Sequence, residues 1–294
     1  MNKPIIRILI WLGIMAALTL LAMGIWTVLF HGSQSTESLK WLQLIQTMGT
    51  FALPPILCAW IWSADRKPFA WLGMDRGITW QTALLAIATM VCAIPSINLL
   101  AYLNGLIHLP ACLDSIEKIL RMYEDAAAQL TERFLQADNL GTMTFNIVLL
   151  ALLPAVAEEL SFRGTLQQVM ANGQMGEWTN GDRTKVHVAI WVAAIVFSAI
   201  HMQFFGFVPR MLLGAMFGYA FVWTGSLWAP ILMHFTNNAV AVVCYYITGG
   251  AEGNNKESLA DTIGAGDTWW LGVLSLVAVC TLLWLLKRTA SLKE

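Results

Sequence analysis

The chain has 294 residues, 57% of them hydrophobic and only 12% charged, with a mean hydropathy of +0.63 and a formal net charge of −1. An ordinary soluble domain carries about twice that charged fraction, so the composition excludes a soluble globular protein and marks an integral membrane protein. The near-zero net charge also gives no basis for binding nucleic acid or another polyanion.

A bilayer core of about 30 Å needs about 20 apolar residues per helix. On that measure eight spans are read in chain order, roughly 5–30, 41–63, 81–106, 142–168, 187–206, 209–224, 227–247 and 268–286. The first has basic residues in front, as a signal peptide would. Its apolar run is too long for one and no small-residue cleavage site follows, so a retained anchor is expected. Between the third and fourth spans, "LDSIEKILRMYEDAAAQLTERFLQ" places apolar residues at Leu113, Ile116, Leu120, Tyr123, Ala127, Leu130 and Phe134. Steps of three and four make one helical stripe, which predicts an amphipathic helix over 113–136 lying on the membrane surface or capping the bundle. The fold class expected is all-α: a polytopic membrane bundle of about eight transmembrane helices plus this interfacial helix, in a single membrane domain over 1–294. The bilayer is its first partner, and the sequence does not set an oligomeric state.

Lysine and arginine bias sets orientation. The side holding both termini carries ten of these residues and the opposite side five, so both termini are expected in the cytoplasm of a multi-pass, bacterial cell-membrane protein. The acidic loop over 248–267 then lies outside. The five cysteines, Cys58, Cys92, Cys112, Cys244 and Cys280, form no C-x-x-C pair, so neither a disulfide framework nor a zinc knuckle is expected.

Charged groups inside a bilayer are costly and usually functional. Those read within spans are Glu158, Glu159 and Arg163 in the fourth, His201 in the fifth, and His234 in the seventh beside Asn237 and Asn238. Glu159 and Arg163 are i, i+4 on one helical face and suited to pairing. Glu158 is rotated by about 100° from Glu159 and points elsewhere. A structural ion pair explains Glu159 and Arg163 but leaves Glu158 without purpose. His234 and Asn238 are again i, i+4. Counted from the span ends, Glu158, His201, His234 and Asn238 fall within about 10 Å of one another along the bilayer normal, at a depth suited to one polar cavity in the inner half of the membrane. A carboxylate beside an imidazole can activate water as a general base, and a histidine and an asparagine can stabilise the oxyanion formed at an amide carbonyl. Neither Ser161 nor Ser198 sits in a G-x-S-x-G elbow, and no histidine is followed by glutamate as H-E-x-x-H requires. Zinc held by Glu158, His201 and His234 stays open on the residues alone. Asn98 and Asn104 in the third span read as helix–helix hydrogen bonds, and Gly214 and Gly218 as a close-packing G-x-x-x-G.

"EELSFRG", "FSAIH" and "HFTNN" also match E-E-x-x-x-R-G, F-x-x-x-H and H-x-x-x-N. In that order the chain resembles the CAAX protease and bacteriocin-processing (CPBP, or Abi) family, which includes the type II CAAX prenyl proteases. The resemblance covers roughly 140–247 as a catalytic core. It implies an eight-helix intramembrane glutamic endopeptidase whose cavity opens toward the cytoplasm, without a cofactor, zinc being the less favoured alternative. It further implies Glu158 as the water-activating base assisted by His201, and His234 and Asn238 as the oxyanion site. Glu159 and Arg163 would support the glutamate, with Phe197 packed beneath His201. The substrate would be a membrane-associated peptide or protein C-terminus, and a bacterial chain makes a prenylated one doubtful. A non-catalytic scaffold for a partner protein is the competing class. A transporter is disfavoured by the lack of inverted repeats.

Overall fold

The computed structural model describes residues 4–171, 183–248 and 262–291. They form an all-α bundle: α1 (Pro4–Phe30), α2 (Thr36–Trp62), α3 (Trp80–Gly105), α4 (Asp114–Leu135), α5 (Leu140–Met170), α6 (Arg183–Ala199), α7 (Phe207–Thr224), α8 (Trp228–Ile247) and α9 (Trp269–Ser291). Caps set several of the starts. The side chains of Ser35, Thr79 and Asn139 accept from the amides of Ser38, Thr82 and Thr142, three residues into α2, α3 and α5, each satisfying one orphan donor. At the other end of α7, Gly225 takes a left-handed φ of 66° that stops the helix.

Among the described residues six helices are long and apolar enough to cross a membrane: α1, α2, α3, α5, α7 and the segment Gly266–Ala290. Their outer faces present leucine, isoleucine, valine and tryptophan side chains outward, as in α1, where only Trp11, Ala22 and Trp26 are buried. This is a multi-pass membrane protein. The expected count of eight includes α6, at 17 residues, and α8, with its His-Phe-Thr-Asn-Asn run; neither meets the same measure of length and hydropathy. The fifth span ends at Ala199 rather than 206, so His201 lies in the link to α7 and not inside a helix.

Cross-helix contacts fix the two sides of the bundle. Trp26 of α1 donates to Ser38 near the start of α2, whereas Arg7 stacks on Trp62 at its end. Ser275 of α9 bridges Ser96 and Cys92 of α3. Arg163 and Gln167 of α5 reach the carbonyls of Gly214 and Gly218 on α7, which runs the same way. Pro4, Trp62, Trp80, Met170, Arg183, Thr224, Trp228 and Ser291 therefore lie on one side, here the terminal side, and α4 lies on the other, the cap side. On the terminal side the 63–79 segment is latched to the α7–α8 turn. Leu227 N–H donates to Gly73 O at 2.8 Å, Ser226 Oγ to Arg76 O, and Trp228 Nε1 to Met74 O at 3.0 Å. Beneath it Trp71, Leu72, Leu160, Phe221, Leu227 and Ile231 form a dry plug.

Two prolines explain local breaks in the helical ladder. Proline has no N–H and clashes with the carbonyl four residues earlier. Pro55 and Pro154 each follow a π-helical turn, Thr47–Ala52 and Ile147–Leu152, a common device for absorbing such a clash. The carbonyls they release, Phe51 O and Leu150 O, accept from Ser161 Oγ at 2.8 Å and Asn238 Nδ2 at 3.4 Å. Of the amides expected to join helices, Asn104 does so, accepting from Val208 N–H in the first turn of α7 and donating to Phe204 O just before it, whereas Asn98 donates to Ile263 O ahead of α9.

The apolar stripe of α4 divides. Phe134 is buried and Ala127 and Leu130 face the bundle interior, whereas Ile116 and Tyr123 are exposed. Its first turn is seated by Glu117, which accepts from Leu109 N–H at 2.7 Å and from Arg121 Nη2 at 2.7 Å, with His108 Nδ1 at 3.0 Å. The Leu109 amide, then Arg121, hold the Glu117 carboxyl down to about 2. Because the value is depressed in the folded state, the contribution of this carboxylate is present above the ordinary 4.5 and is lost as pH falls through about 2. Carboxyl ¹³C NMR in detergent should give a Glu117 midpoint near that lower value, and a midpoint at the ordinary carboxylate value would show the seat to be absent.

Candidate active site

The two adjacent glutamates of α5 have opposite surroundings. Glu159 is fully buried and its Oε1 accepts from Arg163 Nη1 at 2.6 Å and faces His234 Nδ1 at 2.9 Å. Arg163, equally buried, donates from Nη2 to Gly214 O at 2.8 Å and lies over the rings of Phe197 and Phe217, at 4.7 and 5.3 Å. That carbonyl is reachable because Gly214 has no Cβ: one placed there would stand 3.2 Å from both Ala194 and the Arg163 guanidinium. One turn on, a Cβ on Gly218 would stand 2.7 Å from Gln167 Oε1 and 2.9 Å from Ile190 Cγ2. Gly218→Ala is expected to cost about 1–3 kcal/mol by overpacking, read as a lowered Tm in detergent. An unchanged Tm would mean that this helix contact is loose.

Glu158, one residue earlier, keeps 14% of its side chain exposed, and its Oε2 has no hydrogen-bond partner. It lies 3.9 Å from Nε2 of His234. His234 is thus held between the two glutamates, stacked on Phe217 and edge-on to Phe197. Its Nδ1–H points at the Glu159 carboxylate, which leaves Nε2 to face Glu158. Asn238, one turn on, accepts from Asn237 Nδ2 at 3.1 Å and makes only the long bond to Leu150 O.

His201 departs from expectation. The chain turns at Met202, with a left-handed φ of 54°, and His201 Nδ1 donates to Phe197 O at 2.8 Å while its ring packs edge-on against Phe197. The donor to a carbonyl must be N–H, so the neutral ring carries its lone pair on Nε2. His201 makes no hydrogen bond or ion pair with Glu158; the imidazole beside that glutamate is His234. Phe197 does pack against His201.

Glu158, His201, His234 and Asn238 all line one cavity of about 620 Å³, within the roughly 300–1,000 Å³ usual for small-ligand sites. Its walls run from these residues toward the cap side: Ile97 and Ala101 of α3, Leu150 and Pro154 of α5, Pro209 to Phe217 of α7, and Ala241 and Val242 of α8, with Ala127 to Leu135 of α4 across the end. The terminal side is shut by the Glu159–Arg163 layer and the dry plug below it. Cytoplasmic termini and a cavity opening to the cytoplasm therefore cannot both hold, because the cavity lies on the face opposite the chain ends. The expectation of an opening on the termini's own side is corrected on this point.

The inventory of charged groups in the spans missed Arg210. It lies in the first turn of α7, lines the cavity, donates to Gln203 Oε1, and has an unpartnered Nη1. The signal was in the sequence, because the sixth span read as 209–224 contains it. Glu124 of α4, which accepts from Phe205 N–H at 2.8 Å, could not have been found that way. As a zinc site the residues fit poorly. His234 Nδ1 faces Glu159 and His201 Nδ1 donates to a carbonyl, which leaves each Nε2 free, but among the described residues no three histidine, cysteine or carboxylate side chains converge as ligands.

Residues 140–240 match the family described as type II CAAX prenyl endopeptidase Rce1-like. The matched segment supplies every site residue named from the three motifs, and the description is that of a protease family. The chain is also similar to a Bacillus subtilis (strain 168) protein named Uncharacterized protein YpbD, 30% identical over 99 residues that make up 32% of this chain and 43% of that one. It thus spans less than half the length of that relative. No solved structure matches.

Proposed function

We propose that this protein is an intramembrane endopeptidase in which Glu158 activates water against a peptide bond. The observation that carries this reading is a carboxylate oxygen without a partner, 3.9 Å from an imidazole nitrogen, at the foot of a cavity within the bundle. That separation is too long for a direct hydrogen bond and suits a water that touches both. Glu158 takes one proton from this water as its oxygen attacks the scissile carbonyl, with His234 Nε2 accepting from the other O–H to fix its aim. The Asn238 amide, weakly engaged by Leu150 O, donates to the oxyanion. His201 Nε2 accepts from the scissile N–H and orients the bond. The proton on Glu158 passes to the leaving amine and the remaining water proton follows as the new acid ionises, so water and peptide become a carboxylate and an ammonium group. No metal enters these steps, and activity should survive a strong chelator.

The excess of lysine and arginine places the terminal side in the cytoplasm, so the cavity receives its substrate from the opposite face of the bacterial membrane. The exposed apolar half of α4 suits a helix resting on that face. The substrate is a membrane-associated peptide or protein. Comparing membrane-associated peptides from cells carrying the wild type and Glu158→Gln tests this. New termini should vanish with the variant, whereas identical peptide sets with a lost partner phenotype would favour the scaffold reading.

A further inference from the structure

Arg210 is the feature of the cavity that the water-activating chemistry does not use. Among the described lining residues it is the only arginine or lysine, and the wall around it is of apolar, neutral polar, histidine and glutamate side chains. Its Nη2 donates to Gln203 Oε1, but its Nη1 is buried without a partner. Two carboxylates, Glu124 from α4 and Glu158 from α5, act on it electrostatically, yet neither comes within the 4.0 Å of an ion pair. A buried guanidinium nitrogen without a partner is expensive, and a planar fork of donors is matched best by a carboxylate. Gly206 keeps the space beside it narrow but open: a Cβ there would stand 3.3 Å from Arg210 Nη2 and 3.5 Å from Glu124 Oε1.

We propose that Arg210 binds a carboxylate of the substrate and so sets which peptides are cut and where. This rests on the endopeptidase reading and deepens it. Arg210 lies two turns toward the cap side from Phe217, on which His234 stacks, or about 10 Å along the helix. An extended peptide rises roughly 3.3 Å per residue, so the anchored carboxylate sits a few residues from the scissile bond. Either the chain's own terminal carboxylate or an acidic side chain can supply it. Arg210 is a specificity residue here: it grips the substrate and leaves the reacting atoms to Glu158.

The test uses the full chain in lipid nanodiscs and palmitoylated peptides with randomised C-terminal residues, made as free acids, as amides, and as amides with one aspartate among the last four positions. Wild type should cut at least one carboxylate-bearing set about tenfold or more better than plain amides, the advantage expected of a charge-assisted pair. Arg210→Gln should erase the preference, with the ratio of KM for amide and carboxylate sets falling to about one, and Arg210→Lys should keep part of it. The free-acid and aspartate sets tell the two carboxylate sources apart. An equal preference in wild type and Arg210→Gln, or no preference in wild type, overturns the proposal while leaving the peptidase standing. If wild type cuts nothing, binding of the same sets to Glu158→Gln decides. Carboxylate-selective binding lost on adding Arg210→Gln would keep this site and end the peptidase reading, and unselective binding would end the assignment of Arg210.

Discussion

Glu158→Gln should reduce peptide hydrolysis by about 10²–10⁴-fold, the range supplied by a positioned general base, while Tm stays within about 0.5 kcal/mol equivalent of the wild type. Both halves of this expectation come from the same geometry. The Glu158 carboxylate faces the cavity, its Oε2 has no hydrogen bond, and it holds no ion pair closer than the 3.9 Å approach to His234. Glutamine has the same shape and removes only the basicity. Cleavage rate against a defined membrane peptide and thermal unfolding on the same preparation check it together. A large loss of stability would move Glu158 from chemistry to scaffolding, and an unchanged rate would remove it from the mechanism.

Glu159 should behave in the opposite way. Removing one partner from a buried ion pair costs about 3–5 kcal/mol, because the other charge is left uncompensated. In Glu159→Gln the amide oxygen can still accept from Arg163 Nη1 and His234 Nδ1, but Arg163 loses its counter-charge at zero exposure, and in Arg163→Met the Glu159 carboxylate is left buried beside His234 alone. Glu159→Gln and Arg163→Met are both expected to lower Tm steeply in detergent. The double variant should be less damaged than the sum of the two, since no orphan charge remains. Strict additivity would indicate that the two groups do not act as a pair. Adjacent glutamates thus separate cleanly, one governing rate and the other the fold.

Most of the bundle was legible because bilayer thickness dictates span length, and eight apolar runs lie within a few residues of α1 to α3 and α5 to α9. The fifth is the exception. Its apolar run continues through Ile200 and Met202, so hydropathy gives no sign of the turn after Ala199 that places His201 in a link. The pairing of Glu159 with Arg163 was readable from i, i+4 spacing. The position of His234 between both glutamates was not, because it depends on how α8 packs against α5 and on Phe217 and Phe197 gripping the ring. Depth along the bilayer could be counted from sequence, but the direction in which the cavity opens could not. That follows from which layer is plugged, and the plug draws on Leu72 and Leu227, far apart in the chain and outside the site motifs. Arg210 is plain in the sequence as a charge within the sixth apolar run, but it belongs to none of the three motifs.

The most direct measurement is cleavage in H₂¹⁸O by the purified chain in nanodiscs, with chelator present, run beside Glu158→Gln. Wild type should release products whose new carboxylate carries one ¹⁸O, and the variant should release almost none. Labelled product formed equally by both proteins, or none from the wild type on a peptide that disappears in its presence in cells, would contradict a water activated by Glu158.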